Sequence, residues 1–217
     1  LRTRRQRQMC IRDRLRGGGA SGSWREGTSS SQKAADYSGG AGGYLEAEMD
    51  VTPGESLKLH VGGGGNPSKL RKGGAPFYPI IGVYAKNGGE SYVELSGSKV
   101  ARAYGGSGKS GGGTFITSTR NSTAIQNRAG GSGSSSHGGK KRSGGGSYGL
   151  SGQSYTACDK VHSSGEAKAD APRGGGGCSF DDSGIWGNGR YGRGGHGQAS
   201  LECTMYSETT PSFPPMP

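Results

Sequence analysis

The chain has 217 residues, 48 of them glycine, and carries a formal net charge of +11. Only 25 residues are Leu, Ile, Val or Phe, too few for more than one small packed core. No run of about 18 apolar residues occurs, so no membrane-spanning helix is expected, while the positive charge admits nucleic acid or an anionic surface as a partner.

The excess charge is concentrated at the start. Residues 1–16, "LRTRRQRQMCIRDRLR", carry seven Arg against one Asp and do not begin with Met. The stretch "RQRQMCIRDR" resembles translated sequencing-adapter sequence, and residues 1–16 are expected to lie outside the fold. The competing reading is a basic arm for nucleic acid or a membrane surface. No secretory signal is visible, and the N-terminus is expected to be incomplete.

The strongest local signal is "GGYLEAEMDVTPGESLKLHVGGGG", residues 42–65. Leu45, Ala47, Met49 and Val51 alternate with Glu46, Glu48 and Asp50, and beyond Pro53-Gly54 the residues Leu57, Leu59 and Val61 alternate with Lys58 and His60. Period two on both sides of a turn predicts a hairpin. Setting Val51 against Leu57 would place Met49 by Leu59, Ala47 by Val61, Asp50 by Lys58 and Glu48 by His60.

A second hairpin is expected from Tyr92–Leu95 and Val100–Tyr104 around Ser96-Gly97-Ser98-Lys99. Further strands are expected over 77–84, weakened as a central strand by Pro79, over 114–118, and over 198–203. Between them lie glycine runs at 17–19, 62–65, 111–113, 144–146 and 174–177. They are either flexible linkers or threefold extended helices that pack where no side chain intervenes. Collagen is excluded, because there is no Gly-X-Y period and only 9 residues are Pro.

"AYGGSGKSGGG", residues 103–113, has the letters of a relaxed phosphate-binding loop, but Lys109-Ser110 runs into three glycines and then "TFIT". A working loop needs a helix there, and glycine disfavours one. "GRYGRGGHG", residues 189–197, offers Arg190, Tyr191 and Arg193 once each, as in Arg-Gly-Gly RNA-binding segments. Its other reading is a polar loop before the last strand, and Lys140, Lys141 and Arg142 read as a solvated basic loop.

Cys158, His162, Cys178, His196 and Cys203 fit no common zinc spacing, so no metal or other cofactor is expected. A Cys178–Cys203 or Cys158–Cys178 disulfide can staple the Gly-rich half in an oxidising compartment. Asn121-Ser122-Thr123 is an N-glycosylation acceptor by sequence, meaningful for a chain secreted by a eukaryote. The histidines at 60, 137, 162 and 196 lack the rigid surroundings that catalysis requires.

The order "GGAGGYLEAEMDVTPGESLKLHVGGGG", "GGESYVELSGSKVARAYGGSG" and "GGHGQASLEC" resembles the glycine-rich domains of phage tail-fibre and adhesin proteins. It is also similar to the glycine-rich extracellular region of anaplastic-lymphoma-kinase type receptors. The resemblance covers residues 38 to 203, with fewer glycines than the pattern between 114 and 170. It implies a rigid, non-catalytic recognition or structural module outside the cell or on a virion.

The expected fold class is therefore mostly β: a small antiparallel sheet with extended polyglycine-II-type segments and long irregular Gly/Ser-rich loops. The expected division is a basic leader and linker over 1–37, a glycine-rich β domain over 38–203 and a Pro-containing tail over 204–217. The expected function is a non-enzymatic adhesion or structural module, extracellular or on a virion surface, that presents recognition loops. Trp186, Arg190, Tyr191 and Arg193 are its candidate contact residues for a cell-surface or extracellular ligand, Trp186 being equally readable as a core anchor. Self-association is a further expected contact. The alternative is a basic Gly-rich RNA-binding protein that uses Arg190, Tyr191 and Arg193.

Overall fold

The computed structural model describes residues 9–25, 38–71, 80–117, 121–133, 174–177, 179–180, 190–191 and 193–205. The strands are β1 (Met9–Arg16), β2 (Trp24–Arg25), β3 (Tyr44–Val51), β4 (Leu57–His60), β5 (Ser68–Arg71), β6 (Ile80–Tyr84) and β7 (Ser91–Leu95). They continue with β8 (Ser98–Ala103), β9 (Thr114–Ile116), β10 (Ser122–Arg128), β11 (Ser179–Phe180), β12 (Arg190–Tyr191) and β13 (Gln198–Met205). No helix occurs among the described residues, so none there is long and apolar enough to cross a membrane.

Two four-stranded antiparallel sheets, in the orders β10-β3-β1-β13 and β4-β7-β8-β9, share one core. Ile11, Leu15, Leu45, Ala47 and Met49 of the first sheet are buried in one cluster with Val93, Leu95, Val100, Ala101 and Ala103 of the second. Strands β1, β3 and β7 present every second residue to it, the pleat's own period, and in β8 the consecutive Val100 and Ala101 both face it where the register shifts. A three-stranded sheet, β2-β6-β5, stands apart, and β6 is its middle strand, beginning at Ile80 just beyond the position of Pro79.

The structure corrects the exclusion of residues 1–16 from the fold. Met9–Arg16 pairs with β3 on one side and β13 on the other, so part of the leader is an inner strand. The reason is periodic: Ile11 and Leu15 alternate with Arg12, Arg14 and Arg16, while β3 offers Glu46 and Glu48 on the matching face. Arg12 stands opposite Glu48 and Arg14 opposite Glu46. Glu46 accepts hydrogen bonds from Nε of Arg12 at 2.9 Å and of Arg14 at 3.0 Å, and Arg14 also reaches Glu202 at 3.0 Å. Glu46 is buried. Burial raises its pKa, but the hydrogen bonds from Arg14 and Arg12 outweigh it and hold the carboxyl below its ordinary value.

The first expected hairpin is also corrected. Pro53-Gly54 does turn the chain, with Gly54 at φ 91° and a Glu55 N–H to Thr52 C=O bond of 3.1 Å. The turn, however, joins one sheet to the other: β3 pairs with β1 and β10, and β4 pairs with β7. Alternation specifies an apolar face without specifying the neighbour that covers it. Here both edges of β3 are taken by other strands, and Leu57 packs partly buried against the common core.

The second hairpin forms as expected, β7 against β8, with a register shift at Val93/Glu94. Ser96 and Gly97 lie at φ 48° and 84°, the pair of positive values of a type I′ turn, whose twist matches the strands.

The glycine run at 17–19 packs as a helix of the polyglycine II kind, and the runs at 62–65, 111–113 and 174–177 are hydrogen-bonded into the same bundle. Along 17–21 the amides of residues 17 and 20 both bond to segment 38–43, those of 18 and 21 to segment 86–89, and that of 19 to Gly195. The carbonyls of Gly18, Gly19 and Ala20 accept from Gly106, Gly65 and Gly177. A three-residue period directed at six neighbours is the signature of a threefold helix inside a bundle. Segment 38–43 repeats the pattern: amides 39 and 42 go to 174–177, 40 and 43 to 104–108, and 41 to Gly131. The run at 144–146 lies outside the described residues.

One buried group conflicts with its surroundings. Asp13 points to the core face of β1, opposite Ala47 and Leu201, and is fully buried. Its carboxyl oxygens have no hydrogen-bond partner on another residue among the described ones, and burial pushes its pKa up to about 7, against the smaller pull of its own backbone amide.

Candidate functional site

The segments on either side of the candidate contact residues are held by the bundle. Segment 174–177 precedes residues 178–192 and segment 193–197 follows them, and the two are bonded to each other by Gly195 N–H to Gly175 C=O at 2.8 Å and Gly174 N–H to His196 C=O at 2.7 Å. Segment 174–177 is tied inward through Gly177 N–H to Ala20 C=O, and segment 193–197 through Gly194 to Gly65 and Gly197 to Gly62. The His196 ring also accepts the Gly64 N–H at Nδ1, at 3.2 Å.

Between these anchors β11 and β12 form a two-residue antiparallel rung, Ser179 opposite Tyr191 and Phe180 opposite Arg190. The backbone of Arg190 and Tyr191 is thereby paired to Ser179 and Phe180, and Arg193 follows at an exposed position. Trp186 and Cys178 lie outside the described residues. Cys203 is an exposed free thiol on β13, and Cys10 is a buried one on β1.

A second assembly of charged and aromatic groups was not foreseen. On the outer face of the second sheet, the register aligns His60, Tyr92, Arg102 and Phe115 across its four strands. His60 stacks on Tyr92 with ring centroids 4.7 Å apart, Lys99 Nζ lies 3.9 Å from the Tyr92 centroid, and Arg102 lies 5.8 Å from that of Phe115. Carboxylates interleave with these cations: Lys58 pairs with Glu94 at 3.3 Å, and Glu90 pairs with Lys99 and with Arg102. The row is a partly buried, internally paired ladder in which Lys58, Lys99 and Arg102 each have an aromatic ring or a carboxylate beside them. The outward half of the alternation, Lys58, His60, Tyr92 and Glu94, is its sequence signal. Setting His60 against Glu48, as the first hairpin would require, concealed it.

The phosphate-loop letters occupy a different geometry. Ser107 and Ser110 exchange both backbone hydrogen bonds, at 3.0 and 2.9 Å, across a two-residue turn of Gly108 and Lys109, with Gly108 at φ 53°. The amide of Gly108 bonds to Asn87 Oδ1, and those of Gly106 and Gly112 bond to Gly18 and Ala41. The amides of Gly106, Ser107, Gly108, Ser110 and Gly112 are therefore engaged within the protein, and glycines, not a helix, follow Ser110.

Among the described residues no three of His, Cys, Asp or Glu stand close enough to hold a metal ion together. The Arg side chains of β1 do not form a free basic stripe: Arg12 and Arg14 face Glu46, Glu48 and Glu202, and Arg16 lies 5.7 Å from the centroid of the Tyr44 ring. No protein-family model matches the chain, and no curated protein matches it.

Proposed function

We propose that this chain is a non-catalytic recognition or structural module, extracellular or on a virion surface, in which a glycine bundle holds loops in place for contact with a surface ligand. The observation that carries this reading is the anchoring of the segments that flank residues 178–192: segments 174–177 and 193–197 are both bonded into the bundle and to each other. A stretch anchored on both sides loses less conformational entropy on binding than a free one, and Tyr and Trp in it supply contact area with few rotatable bonds. Arg190, Tyr191, Arg193 and Trp186 are the proposed contact residues.

Limited proteolysis with mass mapping tests the architecture, and a resistant core that keeps residues 9–21 together with about residues 38–205 is the expected result. Rapid digestion everywhere beyond the first strands would overturn it. The contact role is tested by binding of the full chain to intact cells or isolated envelopes, with Arg193→Ala and Trp186→Ala expected to weaken it. An affinity for single-stranded RNA that falls steeply with salt and is lost in Arg190→Ala and Arg193→Ala would move the reading to nucleic acid.

A further inference from the structure

We infer that Asn121 is an N-glycan acceptor and that the glycan caps the open edge of the first sheet. The inference rests on the proposed extracellular placement of the chain. Asn121-Ser122-Thr123 has the required Asn-X-Thr pattern, whereas Asn66-Pro67-Ser68 is blocked by its central proline.

The structure adds three facts to the motif. Asn121 is exposed in a bend immediately before β10. The register of β10 on β3, Ser122 opposite Met49 and Thr123 opposite Glu48, puts Asn121 beside Asp50, and Asn121 Nδ2 donates to Asp50 Oδ2 at 3.2 Å. Asn121 and Thr123 share the outer face, while Ser122 turns the other way and its hydroxyl donates to the Thr117 carbonyl.

The chemistry fits this placement. Nδ2 attacks the anomeric C1 of a lipid-pyrophosphate-linked oligosaccharide; the Nδ2–C1 bond forms, the C1–O bond breaks, and the pyrophosphate leaves with the electron pair. Nδ2 gives up one of its two protons to a base of the transferase. The second proton remains on the nitrogen, so Nδ2 is still a hydrogen-bond donor after the modification.

The position also suggests what the glycan does. Strand β10 pairs with β3 on one side and with no described strand on the other, residues 123–128 are all exposed, and Ile125 retains 40% of its surface. An open edge with an exposed Ile invites pairing with another chain. A bulky, hydrated glycan on the residue just before the strand obstructs that approach.

The test is expression of the full chain behind a secretory signal in eukaryotic cells, with glycan occupancy read in both lysate and medium. One peptide-N-glycosidase-sensitive glycan is expected, lost in Asn121→Gln and in Thr123→Ala and kept in Asn66→Gln. An unshifted chain in both fractions, or a shift that survives Asn121→Gln, would overturn the acceptor. A glycosylated chain retained inside the cell would count against the surface placement while leaving the acceptor standing. For the capping role, Asn121→Gln should show more dimer or larger species than the glycosylated chain in native sizing, and equal elution of the two would overturn it.

Discussion

The sandwich and the bundle fill space by opposite means. In the sandwich, Leu45, Met49, Val93 and Leu95 exclude water with side chains, and the backbone only has to hold them in rows. In the bundle the backbone itself is the packing material: segments 17–21 and 38–43 are buried, and their hydrogen bonds radiate to their neighbours at every residue. A side-chain core relaxes around changes of volume. A backbone core has nothing that can move aside, so its tolerance is governed by the distance to the nearest carbonyl.

That contrast is broken most severely by a single methyl group. A Cβ at residue 19 would lie 1.8 Å from the Gly175 oxygen, a backbone atom locked in the bundle, whereas a Cβ at Gly63 meets nothing within 4 Å. Gly19→Ala is expected to cost more than about 4 kcal/mol, beyond the usual range of overpacking, and to abolish folding. Gly63→Ala is expected to change stability by less than about 1 kcal/mol, in the stabilising direction. Urea unfolding of the two variants checks this, and similar losses at both sites would mean that the bundle yields like a side-chain core.

Inside the sandwich, the largest lever is Asp13. Its pKa is about 7 in the folded protein against 3.8 ordinarily, so unfolding releases a proton between these values. The folded state is favoured fully below about pH 4, and that advantage is lost as pH rises through about 7, a change on the order of 4 kcal/mol. Glu46, on the opposite face of the same sheet, has the reverse sign: its pKa is depressed, so its contribution is present at neutral pH and lost on acidification. Melting temperatures followed from pH 4 to 8 should fall in the parent protein. Asp13→Asn should flatten that slope, and an unchanged slope would show that another group carries it. Glu46→Gln should lower stability at neutral pH by about 1–2 kcal/mol, its Arg12 and Arg14 partners being partly solvated.

The same comparison separates what could be read in the sequence from what could not. The β7–β8 hairpin was legible because Ser96-Gly97 is local: the turn residues and both alternating strands lie within a dozen positions. The alternation of β3 and β4 was legible as well, but period two names a face and not a partner, so strands in different sheets were read as neighbours. The pairing of Arg12 and Arg14 with Glu46 and Glu48 was written in matching alternations and was missed when residues 1–16 were set aside. Glycine runs announced the bundle, yet uniform runs carry no side-chain code for which segment lies beside which. That information resides in the sheets that fix the segments' ends. The pairing of Arg190 and Tyr191 with Phe180 and Ser179 follows from the same anchoring, and Trp186 lies outside the described residues.

The smallest predicted effect asks whether the two regions unfold together. Ser96 is held at φ 48°, where a non-glycine residue is strained and Asn is better accommodated. Its side chain is exposed, so replacement changes the turn and little else. Ser96→Asn is expected to stabilise the protein by about 0.5 kcal/mol and Ser96→Val to destabilise it by about 1 kcal/mol, read as shifts in the urea midpoint at constant slope. The turn belongs only to the sandwich, whereas the amides of Gly19 and Gly40 belong only to the bundle. If folding is one cooperative event, hydrogen exchange at those two amides should slow in Ser96→Asn and quicken in Ser96→Val by the same free energy as the global shift. If exchange there is indifferent to both substitutions, the bundle opens by its own route, and the sheets hold its segments in register without sharing its stability.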